Sequence, residues 1–218
     1  MTSQTTPLPD DASGLAETLS PDALPDATFV PPPQAVAPEP FDRLDLPAAV
    51  LANLARLGYH TMTPIQAAAL PVALGGYDLI AQARTGSGKT AAFGLPLLQR
   101  LDSRRFAVQA LVLCPTRELA EQVSQELRRL ARAEDNIKIL SLCGGSPIRP
   151  QADSLAHGAH VVVGTPGRLL DHLARGTLQL DNLATLVLDE ADRMLDMGFF
   201  DDIAQVAAAC PRGRQTLL

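Results

Sequence analysis

The 218-residue chain lacks several features that would assign it quickly. No apolar run approaches the roughly 18 residues a membrane-spanning helix needs, so no membrane partner is expected. The first 40 residues contain no Lys or Arg. That excludes a secretory signal with its basic start and a mitochondrial transit peptide with its arginines. The three cysteines, Cys114, Cys143 and Cys210, include no CxxC pair, and Cys114 sits inside an apolar run. They read as reduced core thiols of a cytoplasmic protein, not as a disulfide framework or metal site. His157, His160 and His172 stand at no metal-ligand spacing from carboxylates and read as surface or core histidines. No repeat with a period of about 20–50 residues is present.

A basic surplus is missing too. The chain carries 18 Lys and Arg against 24 Asp and Glu, a formal net charge of −6. The imbalance is confined to residues 1–40, which hold six acids and nine of the 18 prolines. Residues 41–218 carry 18 basic and 18 acidic residues, so their charge neither argues for nor excludes a nucleic-acid partner. Residues 1–40 show no periodicity and read as a disordered, Pro-rich, acidic leader. The ordered part is expected over 41–218.

What is present is an alternation. Strand-like apolar runs occur at 78–83, 110–114, 137–143, 160–165, 185–189 and 215–218. Helix-like stretches fall at 46–59, 64–76, 89–101, 117–132, 148–157, 167–175 and 190–209. Strands alternating with helices predict an α/β fold, a mostly parallel sheet with helices on both faces. Ligands of such sheets bind beyond the carboxyl ends of the strands. The chain stops inside a strand-like run, QTLL, and is expected to be a piece of a longer protein or to have been cut near a domain boundary.

The first strand-like run leads into ARTGSGKT (83–90) and then a helix. Backbone amides of a Gly-rich turn at a helix start converge on one centre, where the helix dipole favours anions. Gly86 and Gly88 allow close approach, Lys89 reaches the outer phosphates, and the Thr90 hydroxyl suits Mg²⁺. Ala83 stands where such loops usually begin with Gly. The complementary acids stand about 100 residues downstream in TLVLDEAD (185–192), at the end of another apolar run. Asp189 suits Mg²⁺ through water, and Glu190 suits orientation and deprotonation of an attacking water. The pair predicts a nucleotide hydrolase of the P-loop class.

The remaining strand ends carry CPTRELAEQ (114–122), CGGSP (143–147), GTPGRLLDHL (164–173) and DEADRMLDMGF (189–199), with GYHTMTPIQ (58–66) and Phe41 upstream. Together and in this order they resemble the motifs of the DEAD-box RNA helicase family, over about 41–218; their wording is most similar to the bacterial DbpA type. The resemblance implies a RecA-like ATP-binding domain. It implies that Gln66 reads the adenine edge with Thr63 beside it, that Phe41 or Tyr59 packs near the base, and that Arg84, Thr85, Gly86, Ser87, Gly88, Lys89 and Thr90 hold the phosphates of ATP. Mg²⁺ then falls to Thr90 and Asp189, and catalysis to Lys89, Asp189 and Glu190.

RNA falls to Thr116, Arg117, Gly144, Gly145, Thr165, Pro166, Gly167 and Arg168. Their placement between strand ends and helix starts suits backbone contacts without a basic surplus. Arg104, Arg105, Arg128, Arg129 and Arg132 read as solvated faces, and Asp192 as a link to neighbouring motif residues. The family also implies a Ser-Ala-Thr motif after QTLL and a second RecA-like domain, neither within these residues, in a monomeric protein acting on RNA, ribosomal RNA for the DbpA type. Two rivals stand beside this reading: a helicase-like ATPase acting on DNA, and a catalytically silent RNA- or protein-binding fragment.

Overall fold

The computed structural model describes residues 28–30, 39–84 and 86–218. Its centre is a parallel sheet of β4 (Leu79–Ala81), β5 (Ala110–Leu113), β6 (Ile139–Leu142), β7 (Val161–Gly164), β8 (Thr185–Leu188) and β9 (Gln215–Leu217). The spatial order is β4-β9-β8-β5-β7-β6, and β1 (Thr28–Val30) adds to the outer edge of β4. All six predicted strands are present. Strand β1 departs from the disordered leader expected over 1–40. Its sequence, Thr-Phe-Val, is a proline-free β-branched and aromatic run, the composition that favours strands. Residues 39–40 likewise form a short strand, β2 (Glu39–Pro40), antiparallel to β3 (Thr61–Met62). Residues 1–27 and 31–38 of that leader lie outside the described residues.

The central strands β5, β7 and β8 are buried at every position, as expected for a parallel sheet covered on both faces. Successive side chains divide between two cores. Ala110 and Val112 join α1 (Ala48–Arg56), α2 (Pro64–Leu74), α3 (Lys89–Gln99) and α4 (Arg117–Leu130) on one face. Leu111 and Leu113 join α5 (Ile148–Ala156), α6 (Pro166–Ala174), α7 (Ala191–Asp196) and α8 (Phe200–Ala208) on the other. The single helix expected over 190–209 is in fact two. Gly198 adopts φ +83, a conformation glycine tolerates and a helix interior does not, and the chain turns there before α8.

The buried polar side chains hold backbone ends. Gln215 Nε2 donates to the Ala73 and Tyr77 carbonyls (2.8 and 2.7 Å). His160 accepts the Lys138 amide on Nδ1 (3.0 Å) and points Nε2 at the Ser103 carbonyl (3.2 Å), confirming a core histidine. Asn53 Nδ2 donates to the carbonyls of Arg129 and Leu130 (3.1 and 3.0 Å), which lie in the last turn of α4, where carbonyls run out of intrahelical i+4 donors. Asn53→Leu removes both donations inside the core. It is expected to lower unfolding free energy by about 1–3 kcal/mol, read from urea denaturation; an unchanged midpoint contradicts the role.

Candidate nucleotide and RNA site

Because every crossover is parallel, the helix starts gather at the carboxyl edge of the sheet. Between β4 and α3 the chain turns through Gly86 (φ +81) and Gly88 (φ +91), and Gly88 is the residue immediately before the helix. A Cβ on Gly88 would lie 2.4 Å from Gln66 Nε2, so this position needs glycine for conformation and for space. Ser87 donates its amide to the Arg84 carbonyl (3.2 Å), while its buried hydroxyl has no partner. Lys89 and Thr90 open α3, both half-buried; Arg84 is exposed; Thr85 lies outside the described residues.

Gln66, fully buried, ties this loop to the preceding segment. Its Oε1 accepts the Thr63 amide (2.9 Å) at the start of α2, and its Nε2 donates to the Gly88 carbonyl (3.0 Å). Phe41 is buried, edge-on to Tyr59 with ring centroids 6.2 Å apart. The Tyr59 hydroxyl donates to Glu126 on α4 (2.6 Å), and burial together with that carboxylate pushes its pKa up to about 12. Thus Phe41, Tyr59, Thr63 and Gln66 gather around the α2 start. Of these four, Thr63 and Gln66 lie directly beside Gly88 of the phosphate loop.

Asp189 ends β8, its amide bonded to the Leu113 carbonyl (3.0 Å). It is 7% exposed. Burial raises its pKa, Lys89 opposes the rise and Glu190 adds to it. Glu190 holds φ +55, ψ +50, a left-handed conformation costing a non-glycine residue about 1–3 kcal/mol. Its Oε2 meets Arg193 Nη1 at 3.1 Å. Arg193 was not singled out in the sequence, although its i,i+3 spacing from Glu190 is visible there. Asp192, exposed, accepts the Arg193 amide (2.9 Å), a local link only. Lys89, Asp189 and Glu190 form the polar wall of a cleft of about 280 Å³ between the ends of β4, β8 and β9. A phosphate chain with a divalent cation fits what is found here: an αL-glycine turn at a helix start, an orphaned serine hydroxyl, one lysine and one buried carboxylate.

The other half of the edge holds the strings expected to grip RNA. Thr116 precedes α4 and its Oγ1 accepts the Leu119 amide (3.3 Å). Arg117, exposed, lays its guanidinium over Gly145: a Cβ there would lie 1.7 Å from Nη1, and φ is +81. Gly144 lies beside the same side chain. Thr165 precedes α6; Pro166 is buried as its first residue, and Gly167 is exposed with open space beside it. Arg168 is turned inward. Its Nη1 donates to the Ser146 carbonyl (3.0 Å) and to Gln151 Oε1 (2.7 Å), with Asp171 3.6 Å from Nε.

Such a fold and edge define a P-loop nucleotide-binding domain. Residues 63–218 match the DEAD/DEAH box helicase family, and the chain belongs to that family. It is 66% identical over 173 residues to the ATP-dependent RNA helicase DbpA of Escherichia coli, covering 79% of this chain and 38% of that protein. To the ATP-dependent RNA helicase CshA of Listeria monocytogenes it is 50% identical, covering 82% of this chain and 34% of the relative. A DEAD box protein from the hyperthermophile Methanococcus jannaschii superposes with a TM-score of 0.78 at 43% identity, over 82% of this chain and 49% of that one. This chain therefore spans little more than a third of these two curated relatives. The expected RecA-like α/β fold is present.

The raised pKa of Asp189 carries a stability cost. A carboxyl whose folded pKa exceeds its unfolded value gives up stability as pH rises through the folded pKa, so at neutral pH the charged form weakens the ligand-free domain. Asp189→Asn is expected to raise the thermal midpoint of the ligand-free protein at pH 7. Calorimetry at pH 7 decides; an unchanged or lower midpoint contradicts the account.

Proposed function

We propose that this chain is the ATP-binding half of an ATP-dependent RNA helicase that couples ATP binding and hydrolysis to local opening of RNA duplexes. The observation carrying this reading is the joining, on one sheet edge, of the 83–90 turn and the Asp189–Glu190 pair with three helix-start strings suited to an RNA backbone. Likeness to relatives named as RNA helicases supports RNA over DNA.

When bound, ATP with Mg²⁺ supplies the phosphoanhydride bond and the cation that neutralises its oxygens. The chain's own residues then have distinct tasks. Amides at the start of α3 and the Lys89 ammonium hold the outer phosphates, and Thr90 and Asp189 hold the metal. Asp189 is suited to that task because its buried charge is under-compensated by Lys89 alone. Glu190, aimed by its left-handed backbone, accepts a proton from the attacking water. Gln66 joins the adenine side to the phosphate loop through the Gly88 carbonyl. Thr116, Arg117, Gly144, Gly145, Thr165 and Gly167 are assigned to RNA, with Pro166 setting the start of α6 and the inward Arg168 holding the Ser146 carbonyl behind them. Such contacts read the backbone and 2′-hydroxyls, not sequence.

The full-length protein is proposed to carry a second RecA-like domain completing both sites, and to be a cytoplasmic monomer. Likeness to the DbpA type points to ribosomal RNA in large-subunit assembly. The 218 residues alone are then nearly inactive, because a second domain supplies an arginine that is worth about 10³–10⁵ in turnover in related phosphoryl-transfer enzymes.

ATPase activity of the full-length protein with and without ribosomal RNA tests the reading. RNA should stimulate it, and single-stranded DNA should not. Lys89→Ala and Glu190→Gln should each lower RNA-stimulated turnover by about 10² or more. Full activity in either variant contradicts the assigned roles.

A further inference from the structure

Gln151, on α5, belongs to none of the motif strings, yet its amide meets three residues in two other segments. Nε2 donates to the Cys143 carbonyl (3.1 Å), the residue before Gly144 and Gly145. Oε1 accepts from Arg168 Nη1 (2.7 Å) and faces His172 Nε2 (3.0 Å), both on α6. The amide has one workable orientation. Reversed, it would set an NH₂ against the guanidinium and an oxygen against a carbonyl oxygen.

The orientation also fixes His172. An amide oxygen only accepts, so His172 Nε2 carries a proton. The ring is fully buried, and burial followed by the Arg168 charge lowers its pKa, so it is neutral and Nδ1 is an acceptor. Thr177 Oγ1 lies 2.8 Å from Nδ1 and 3.2 Å from the His172 carbonyl; its single proton then turns to the nearer ring nitrogen. A single directed chain results: Thr177 to His172 to Gln151, with Arg168 converging on the same oxygen and the Gln151 amide continuing to Cys143. Hydrogen bonds in such a chain polarise one another. Arg168 also holds the Ser146 carbonyl, so the loop after β6 is gripped on both sides of its glycines.

We propose that Gln151 is a positioning residue, locking the Gly144–Gly145 loop and the 165–168 helix start into one rigid unit and so presetting the spacing of their contacts to RNA phosphates. This rests on the RNA reading given above. It also accounts for the inward Arg168: its guanidinium sets the distance between the two strings from within. Among the described residues, the nucleotide half of the edge, on β4, β9 and β8, shares no hydrogen bond with this network. Gln151 therefore acts on RNA affinity and not on the handling of ATP.

The test is steady-state ATPase of the full-length protein, titrated separately with RNA and with ATP. Gln151→Leu keeps a side chain of comparable bulk and deletes both polar atoms. By loosening the spacing of the two strings it should raise the RNA concentration for half-maximal stimulation by about 5- to 100-fold. Turnover at saturating RNA and the KM for ATP should stay within about twofold, because neither depends on the network. Gln151→Glu keeps the acceptor for Arg168 and His172 and should recover part of the RNA affinity. In ¹⁵N NMR spectra, the Nε2–H tautomer of His172 should be present in the parent protein and lost or mixed in Gln151→Leu. Two results overturn the inference: RNA half-saturation unchanged in a folded Gln151→Leu protein, or equal losses in RNA half-saturation, ATP KM and thermal midpoint. Absence of RNA stimulation in the parent protein overturns instead the reading on which it rests.

Discussion

The structure depends on one constraint, the parallel direction of its central strands. Strands β5, β7 and β8 are buried at every position and can exist only between two helical layers. Parallel pairing forces each connection to cross back over the sheet, and each following helix then begins at the same edge. Five strand ends meeting helix starts on one edge create several positions with outward amides. A polyanion is the natural occupant of such an edge, even on a body carrying equal numbers of acids and bases.

The sheet order divides that edge. Strands β4, β9 and β8 bring the 83–90 turn beside Asp189, while β5, β7 and β6 bring together the strings at 116–117, 144–145 and 165–168. The two halves meet between β8 and β5, where the Asp189 amide bonds the Leu113 carbonyl. At that seam the domain tolerates the features that weaken it, a buried carboxylate and a left-handed glutamate. Such local costs persist because the surrounding sheet over-determines the backbone there.

Much of this was legible in the residues. All six strands fall within the predicted runs, because buried parallel strands are short, uninterrupted apolar segments. Helix starts were legible from Thr116 and from Pro64 and Pro166, which sit where a helix permits them. The single helix expected over 190–209 is two, because one Gly within a helical pattern does not announce a turn; only its φ does. The leader was read from its prolines and acids, and composition averaged over 40 residues hides three that suit a strand. Within the site, Gln66 was named for the base, and its bond to Gly88 depends on a contact across 22 residues. Gln151 and Arg193 carry no motif spelling. Their importance comes from where α5 and α7 place them.

Strand β1 has a consequence for how molecules of this protein meet one another. An unpaired strand at the end of a sheet is a template on which another chain can add, and β4 would be such a template. With Thr28–Val30 seated along it, the outward row of donors and acceptors belongs to a segment of three residues. The sequence follows that segment at once with Pro31, Pro32 and Pro33. Proline offers no amide to a ladder, so growth of the sheet in that direction is stopped within a few residues. The outer edge of the phosphate-loop strand is thereby already paired, by a segment from the chain's own amino-terminal side.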